Sequence, residues 1–181
     1  VYSFNFDKHL HSIDSQNYKT HRGDVLFIDE FTRYLDVEVG KDAITLLVKL
    51  GYDIELYYAE SGRTFLSKGF LKQAKKLALK NSKELQKFAD AGLPILGLEP
   101  SALLSFRDEY KRMTPDKEIS QRIADHSFLI EEFLAKEIVD GHLKASDFTS
   151  EAKDIKRHNH WHRVPRWIEK VTFDVLNLPT N

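Results

Sequence analysis

The chain reads as a three-layer α/β/α domain, built on a mainly parallel, Rossmann-like sheet of about four strands. Three observations lead there. Short apolar runs, "DVLFIDEF" (24–31), "YDIELYY" (52–58) and "LPILGLE" (93–99), are bounded by glycine, proline or charge, as strands buried on both faces are. Between them lie stretches with apolar residues at helical spacing. Strands alternating with helices of this length call for parallel pairing, with helices on both faces of the sheet.

Residues 1–23 are polar and histidine-bearing, and read as an irregular lead-in from a preceding domain; 24–181 read as a single domain. After the first strand, Val39, Ala43, Leu46, Leu47 and Leu50 share one helical face, and Gly51 is placed to end that helix. The second strand turns through "SGRTFLSKG" into a long helix over about 65–90, with Phe70, Ala74, Leu77, Ala78, Leu85 and Phe88 as its stripe. Its lysines (Lys72, Lys75, Lys76, Lys80, Lys83, Lys87) form a solvated face. Gly92 caps it, and the third strand runs into Pro100-Ser101, which opens a helix to about Tyr110. A further helix spans about 117–139 on Ile119, Ile123, Ile130, Leu134 and Ile138. "IKRHNHWH" (155–162) reads as the fourth strand, and "PRWIEKVTFDVLNLP" as a last helix starting at proline. The order is β-α-β-α-β-α-α-β-α.

Composition narrows the function classes. The 181 residues carry 27 Lys and Arg against 28 Asp and Glu, a formal net charge of −1, which offers no field for nucleic acid. No apolar run reaches the roughly 18–20 residues of a membrane span, and no signal peptide opens the chain. Cysteine is absent, so the chain supplies no disulfide, thiolate nucleophile or cysteine-ligated metal, and this fits the cytoplasm. There is no P-loop spacing, no G-x-S-x-G elbow and no flavin motif. The start at Val1 suggests a segment of a longer protein.

In such sheets ligands bind beyond the carboxyl ends of the strands. Asp29, Glu30, Thr32 and Arg33 end the first strand, Glu60, Ser61, Gly62 and Arg63 the second, and Glu99, Pro100 and Ser101 the third. The candidate pocket comprises Asp29, Thr32, Gly62, Arg63, Lys68, Glu99, Ser101, Arg107, His160 and His162. At "AESGRTFLSKG", Ser61 can cap a helix while Gly62 and Arg63 suit a small anion at its N-terminus; capping alone and anion binding both fit. In an extended strand His158, His160 and His162 fall on one face, which suits a transition metal or a solvated edge. In "RDEY" (107–110), Arg107, Asp108 and Glu109 read as a helix-end tether rather than a paired-carboxylate acid–base site.

The turns carry a resemblance. "VLFIDEFTRYLDVEVGKDAITLLVKLGYDIEL", "SGRTFLSKGFLKQAKKLALKN", "PILGLEPSALLSFRDEY", "FLIEEFLAK" and "HNHWHRVPRWIEKVTFDVLNLPTN" together resemble the cysteine-rich (CCG) domain of FAD-linked oxidases of the D-lactate and glycolate dehydrogenase type and of heterodisulfide reductase subunits. The family's Cys-Cys-Gly-Arg stands here as Glu60-Ser61-Gly62-Arg63, its Glu-Pro-Ser-Cys as Glu99-Pro100-Ser101-Ala102, and its His-x-His-Cys-His as His158-Asn159-His160-Trp161-His162. The cluster-ligand positions thus correspond to Glu60, Ser61, Ala102 and Trp161, a set unable to hold an iron–sulfur cluster. The resemblance implies a cluster-less scaffold or electron-transfer-related domain with no cofactor of its own. FAD and 4Fe-4S clusters would lie elsewhere in a parent 2-hydroxy-acid dehydrogenase, with FAD-binding and ferredoxin-like domains as partners and a place in the cytoplasm, peripheral to the inner membrane. A small-anion module and a His-based metal-binding domain are the alternatives.

Overall fold

The computed structural model describes residues 4–14, 23–149 and Val175. The first of these form helix α1 (Phe6–Ser12), where an irregular lead-in is expected from the sequence. Asn5 caps it through its side chain, which accepts from the Lys8 N–H at 2.8 Å. Its one fully buried side chain, Phe6, anchors it. With one buried side chain among seven residues, there is no periodicity to read.

Strand β1 (Gly23–Ile28) is buried from Asp24 onward. After it come α2 (Glu30–Tyr34), α3 (Val37–Lys49), β2 (Asp53–Tyr58), α4 (Arg63–Ser67), α5 (Leu71–Asp90) and β3 (Ile95–Gly97). Then follow α6 (Pro100–Arg107), α7 (Glu109–Met113), α8 (Lys117–His126) and β4 (Ser127–Leu129). The strands form one sheet in the order β2-β1-β3-β4, every pairing parallel. The fold is therefore α/β/α with a Rossmann-like parallel sheet. Adjacent residues of β2 identify the layers, since they point to opposite faces. Tyr57 meets the Phe88 ring of α5, whereas the Tyr58 hydroxyl donates to Asp7 of α1 at 2.8 Å. Helices α1 and α3 pack together on one side, and α5 packs with α7 and α8 on the other.

Two helical faces differ from their periodic reading. In α3 the buried set is Gly40, Ala43, Ile44, Leu47 and Val48, while Val39 is 53% exposed. Glycine decides the phase: a Cβ at Gly40 would stand 2.6 Å from the Phe6 ring, so the bare backbone admits α1. In α5 the buried stripe contains Asn81 and Ser82, and Phe70 is half exposed.

The continuous helix expected over 117–139 is a second difference. The chain leaves α8 at His126, and Ser127–Leu129 join the sheet beside Ile95–Gly97. Ser127 Oγ bonds back to the Ile123 carbonyl at 2.7 Å, a local bond that competes with helix propagation. Among the described residues the fourth strand is thus Ser127–Leu129. The strand expected over 155–162 lies outside the described residues.

The chain divides into two compact units, Val1–Leu129 and Ile130–Asn181. The described part of the second holds helix α9 (Ile130–Val139) and a 3-10 turn at Ala145–Asp147. No helix among the described residues is long and apolar enough to cross a membrane.

Candidate functional site

The sheet order reverses beside β1, so its switch point lies between the carboxyl ends of β1 and β3. Three strand-to-helix turns meet along this edge. At the first, Asp29 caps α2. Its Oδ1 accepts from Phe31 N at 2.7 Å and Thr32 N at 3.1 Å, and its Oδ2 from the Thr32 hydroxyl at 2.8 Å. Asp29 is only 1% exposed. Burial pushes its carboxyl above the usual carboxylate range, against the lowering effect of the bonds from Thr32 and Phe31.

At the second turn Gly62 adopts φ +82°, a left-handed conformation that a side chain would strain. Ser61 is fully buried. Its N–H donates to Glu30 Oε2 and its hydroxyl to Glu30 Oε1, both at 2.7 Å, and its Oγ accepts from Arg63 N at 3.1 Å. A carboxylate from the first turn therefore occupies the donors of the second. Arg63 Nη1 pairs with Glu109 Oε1 at 2.9 Å, both side chains about 30% exposed. The tether that the sequence assigns to the 107–109 run thus passes through Glu109 to Arg63. Asp108 pairs instead with Arg112.

Under this turn lies a polar network that the sequence does not announce. Asn81 of α5, fully buried, donates through Nδ2 to the Glu60 carbonyl at 2.8 Å and to the Tyr110 hydroxyl at 2.7 Å. Its Oδ1 accepts from the Tyr57 hydroxyl at 3.2 Å, and Tyr110 donates onward to the Ser61 carbonyl at 2.9 Å. Burial pushes the Tyr57 hydroxyl up to about 12, with the Glu84 carboxylate adding to the effect. Burial likewise drives Tyr110 well above its ordinary value. The one sequence signal is a polar residue at a stripe position of α5.

At the third turn Glu99 caps α6, Oε1 accepting from Ser101 N at 3.1 Å and the Ser101 hydroxyl at 2.7 Å. Ala102 is fully buried. Gly97 lets α6 approach: a Cβ there would stand 2.7 Å from Leu103 Cδ1.

The structure thus brings Asp29, Thr32, Gly62, Arg63, Glu99 and Ser101 to one edge of the sheet. Lys68 is exposed at the end of α4. Arg107 ends α6 and lines a separate shallow depression of about 280 Å³ with Lys111, Gln121 and Asp125. His158, His160, His162 and Trp161 lie outside the described residues. The residues at the described cluster-ligand positions do not fit a cluster. Ala102 has no donor atom, Ser61 Oγ is committed to Glu30, and Glu60 is an exposed carboxylate. In the second unit, Glu137, Asp140 and His142 gather with ligand-type atoms within 4.8 Å of one another. Gly141, at φ +78°, turns the chain so that His142 Nδ1 lies 3.0 Å from Glu137 Oε2, and Asp140 pairs with Lys136.

No family model matches the chain, and no solved structure does. Curated relatives do. D-2-hydroxyglutarate dehydrogenase of Haemophilus influenzae is 38% identical over 99 residues, which is 53% of this chain and 10% of the relative. The Escherichia coli enzyme of the same name is 36% identical over 104 residues, 56% and 10%. That of Pseudomonas putida is 36% identical over 93 residues, 51% and 9%. The chain spans about a tenth of the length of these relatives. Over about half of its own length it is a distant homologue of the D-2-hydroxyglutarate dehydrogenases, a family acting on 2-hydroxy acids.

Proposed function

We propose that the chain is a cluster-less α/β scaffold domain of a larger FAD- and iron–sulfur-dependent oxidoreductase that oxidises a 2-hydroxy acid of the D-2-hydroxyglutarate or D-lactate type. The observation that carries this reading is the pairing of that homology with two turns whose cluster-ligand positions hold Glu60 and Ser61 at the second and Ala102 at the third. The hydrogen bonds between Ser61 and Glu30, and those of Asn81 and Tyr110, hold the second turn without metal. Flavin chemistry and electron transfer belong in this reading to other domains. The role of the present residues is to keep one edge of the sheet rigid for them. A small anion at the same edge would have to displace the Glu30 carboxylate from Ser61 or the Glu99 carboxylate from Ser101.

Two measurements test the proposal. The 181-residue chain, purified under anaerobic conditions without a tag, is expected to carry substoichiometric iron and no visible charge-transfer band. Stoichiometric iron would overturn the cluster-less part. The complete reading frame is expected to bind FAD and reduce an artificial acceptor with D-2-hydroxyglutarate or D-lactate. A frame with no flavin and no such activity overturns the rest.

A further inference from the structure

Among the described residues, strand β2 is an edge of the sheet. It pairs with β1 on one side and with no strand among the described residues on the other. One bond fixes the direction of its peptide groups: the Ala59 N–H donates to the Ile28 carbonyl at 3.4 Å. In a parallel pair, alternate residues turn both N–H and C=O to the same neighbour. Asp53, Glu55 and Tyr57 therefore address β1, and Ile54 and Leu56 turn both groups outward. These outward groups make no hydrogen bond to a described residue.

A groove of about 630 Å³ runs beside this edge, a volume within the roughly 300–1,000 Å³ of ligand clefts. Leu10 of α1, Ile13 just beyond it and Val48 of α3 supply apolar wall, and the lining also takes in Asp7, Asp53 and Glu55. The two faces of the strand differ. Tyr58 reaches Asp7 on the α1 side and Tyr57 reaches Phe88 on the α5 side. Ile54 and Leu56 therefore face α1, while Asp53 and Glu55, both exposed, face the α5 side. Glu55 meets Lys87 at 3.4 Å on the surface, and Asp53 has no cation partner among the described residues.

We propose that the β2 edge is a docking site for an extended segment of another polypeptide, added as a further strand, with apolar side chains on the α1 side alternating with basic ones on the other. This rests on the edge and its charge, and is independent of the oxidoreductase reading. The outward N–H and C=O of Ile54 and Leu56 supply the ladder. Leu10, Ile13 and Val48 receive one set of side chains, and Asp53 and Glu55 pair with the other across the strands. A cation of the partner then competes with Lys87 for Glu55. The same charge argues against a second copy of this chain, because two β2 edges would bring carboxylates against carboxylates.

The test uses the full chain and a short fluorescein-labelled peptide alternating Val and Lys, followed by fluorescence anisotropy. Backbone N-methylation of the peptide on one alternate set of residues is expected to weaken binding roughly tenfold or more, the worth of a lost backbone bond, while methylation of the other set leaves it unchanged. Hydrogen exchange is expected to slow at the Ile54 and Leu56 amides and to stay the same at Glu55. Asp53→Lys with Glu55→Lys is expected to weaken the Lys peptide several-fold and favour a Val–Glu peptide instead. No binding, or equal loss from both methylation patterns, overturns the proposal. So does self-association in sedimentation that protects the Ile54 and Leu56 amides without peptide, since the occupant would then be a second copy.

Discussion

Replacing Asn81 by aspartate keeps the side chain's shape and removes both of its N–H donors. Those donors serve the Glu60 carbonyl at 2.8 Å and the Tyr110 hydroxyl at 2.7 Å, in a site with no solvent exposure. A carboxylate oxygen would then face a carbonyl oxygen, and Tyr110 has one proton to divide between residue 81 and the Ser61 carbonyl, which it now serves at 2.9 Å. Leaving a buried polar group unsatisfied costs about 1–3 kcal/mol, and a buried charge without a partner adds to this. The expected loss near neutral pH is about 3–5 kcal/mol, a large part of the roughly 5–15 kcal/mol that holds an ordinary domain together. Burial raises the carboxyl pKa of the variant in the folded state above its unfolded value. Stability is therefore lost as pH rises through the folded pKa and recovered as pH falls towards the unfolded value of about 3.9. Urea unfolding followed by far-UV circular dichroism, on wild type and Asn81→Asp across this range, reads the difference at each pH. A loss under about 1 kcal/mol near neutrality, or a difference that does not shrink on acidification, would refute the network.

Ser61→Ala removes the bond to Glu30 Oε1 and the acceptor for Arg63 N, and should cost about 1–3 kcal/mol in thermal unfolding. Pairing it with Glu30→Ala should show coupling, and strictly additive losses would sink the proposed link between the two turns. Asp29→Asn keeps an N-cap acceptor while removing a charge that burial disfavours. With its folded pKa raised, Asp29 contributes stability below its unfolded pKa that is lost as pH rises through the folded one. The Asn variant should therefore match or exceed wild type near neutral pH, and wild type should gain on it as the solution is acidified. A loss above about 1 kcal/mol near neutrality would count against this. Gly97→Ala puts a methyl 2.7 Å from Leu103 Cδ1 and should cost about 1–3 kcal/mol, with Leu103→Ala in the same chain reducing the penalty. An unchanged melting temperature for the single variant would mean that α6 has room to move.

The amino-acid sequence by itself determined the alternation of strands and helices, because a buried parallel strand and an amphipathic helix each write their pattern within about a dozen neighbouring residues. It also placed Asp29, Ser61 and Glu99 at strand ends, since caps and turn residues act on amides two or three positions away. Tertiary structure decided what lies far apart in the chain. Only the fold shows that Glu30 bonds Ser61, that Asn81 supports Glu60 and Tyr110, and that the Arg63 tether runs to Glu109. It also set the phase of α3, where Gly40 faces inward because Phe6 fills the space above it. Strand β4 was hidden for the same reason. Ser127–Leu129 are too few to show a period, and they become a strand because the Ile95–Gly97 edge offers partners while Ser127 bonds back to Ile123 and ends the helix. Local patterns constrain a residue's neighbours in sequence, whereas these contacts arise from burial and from the backbone groups that remote segments leave to be paired.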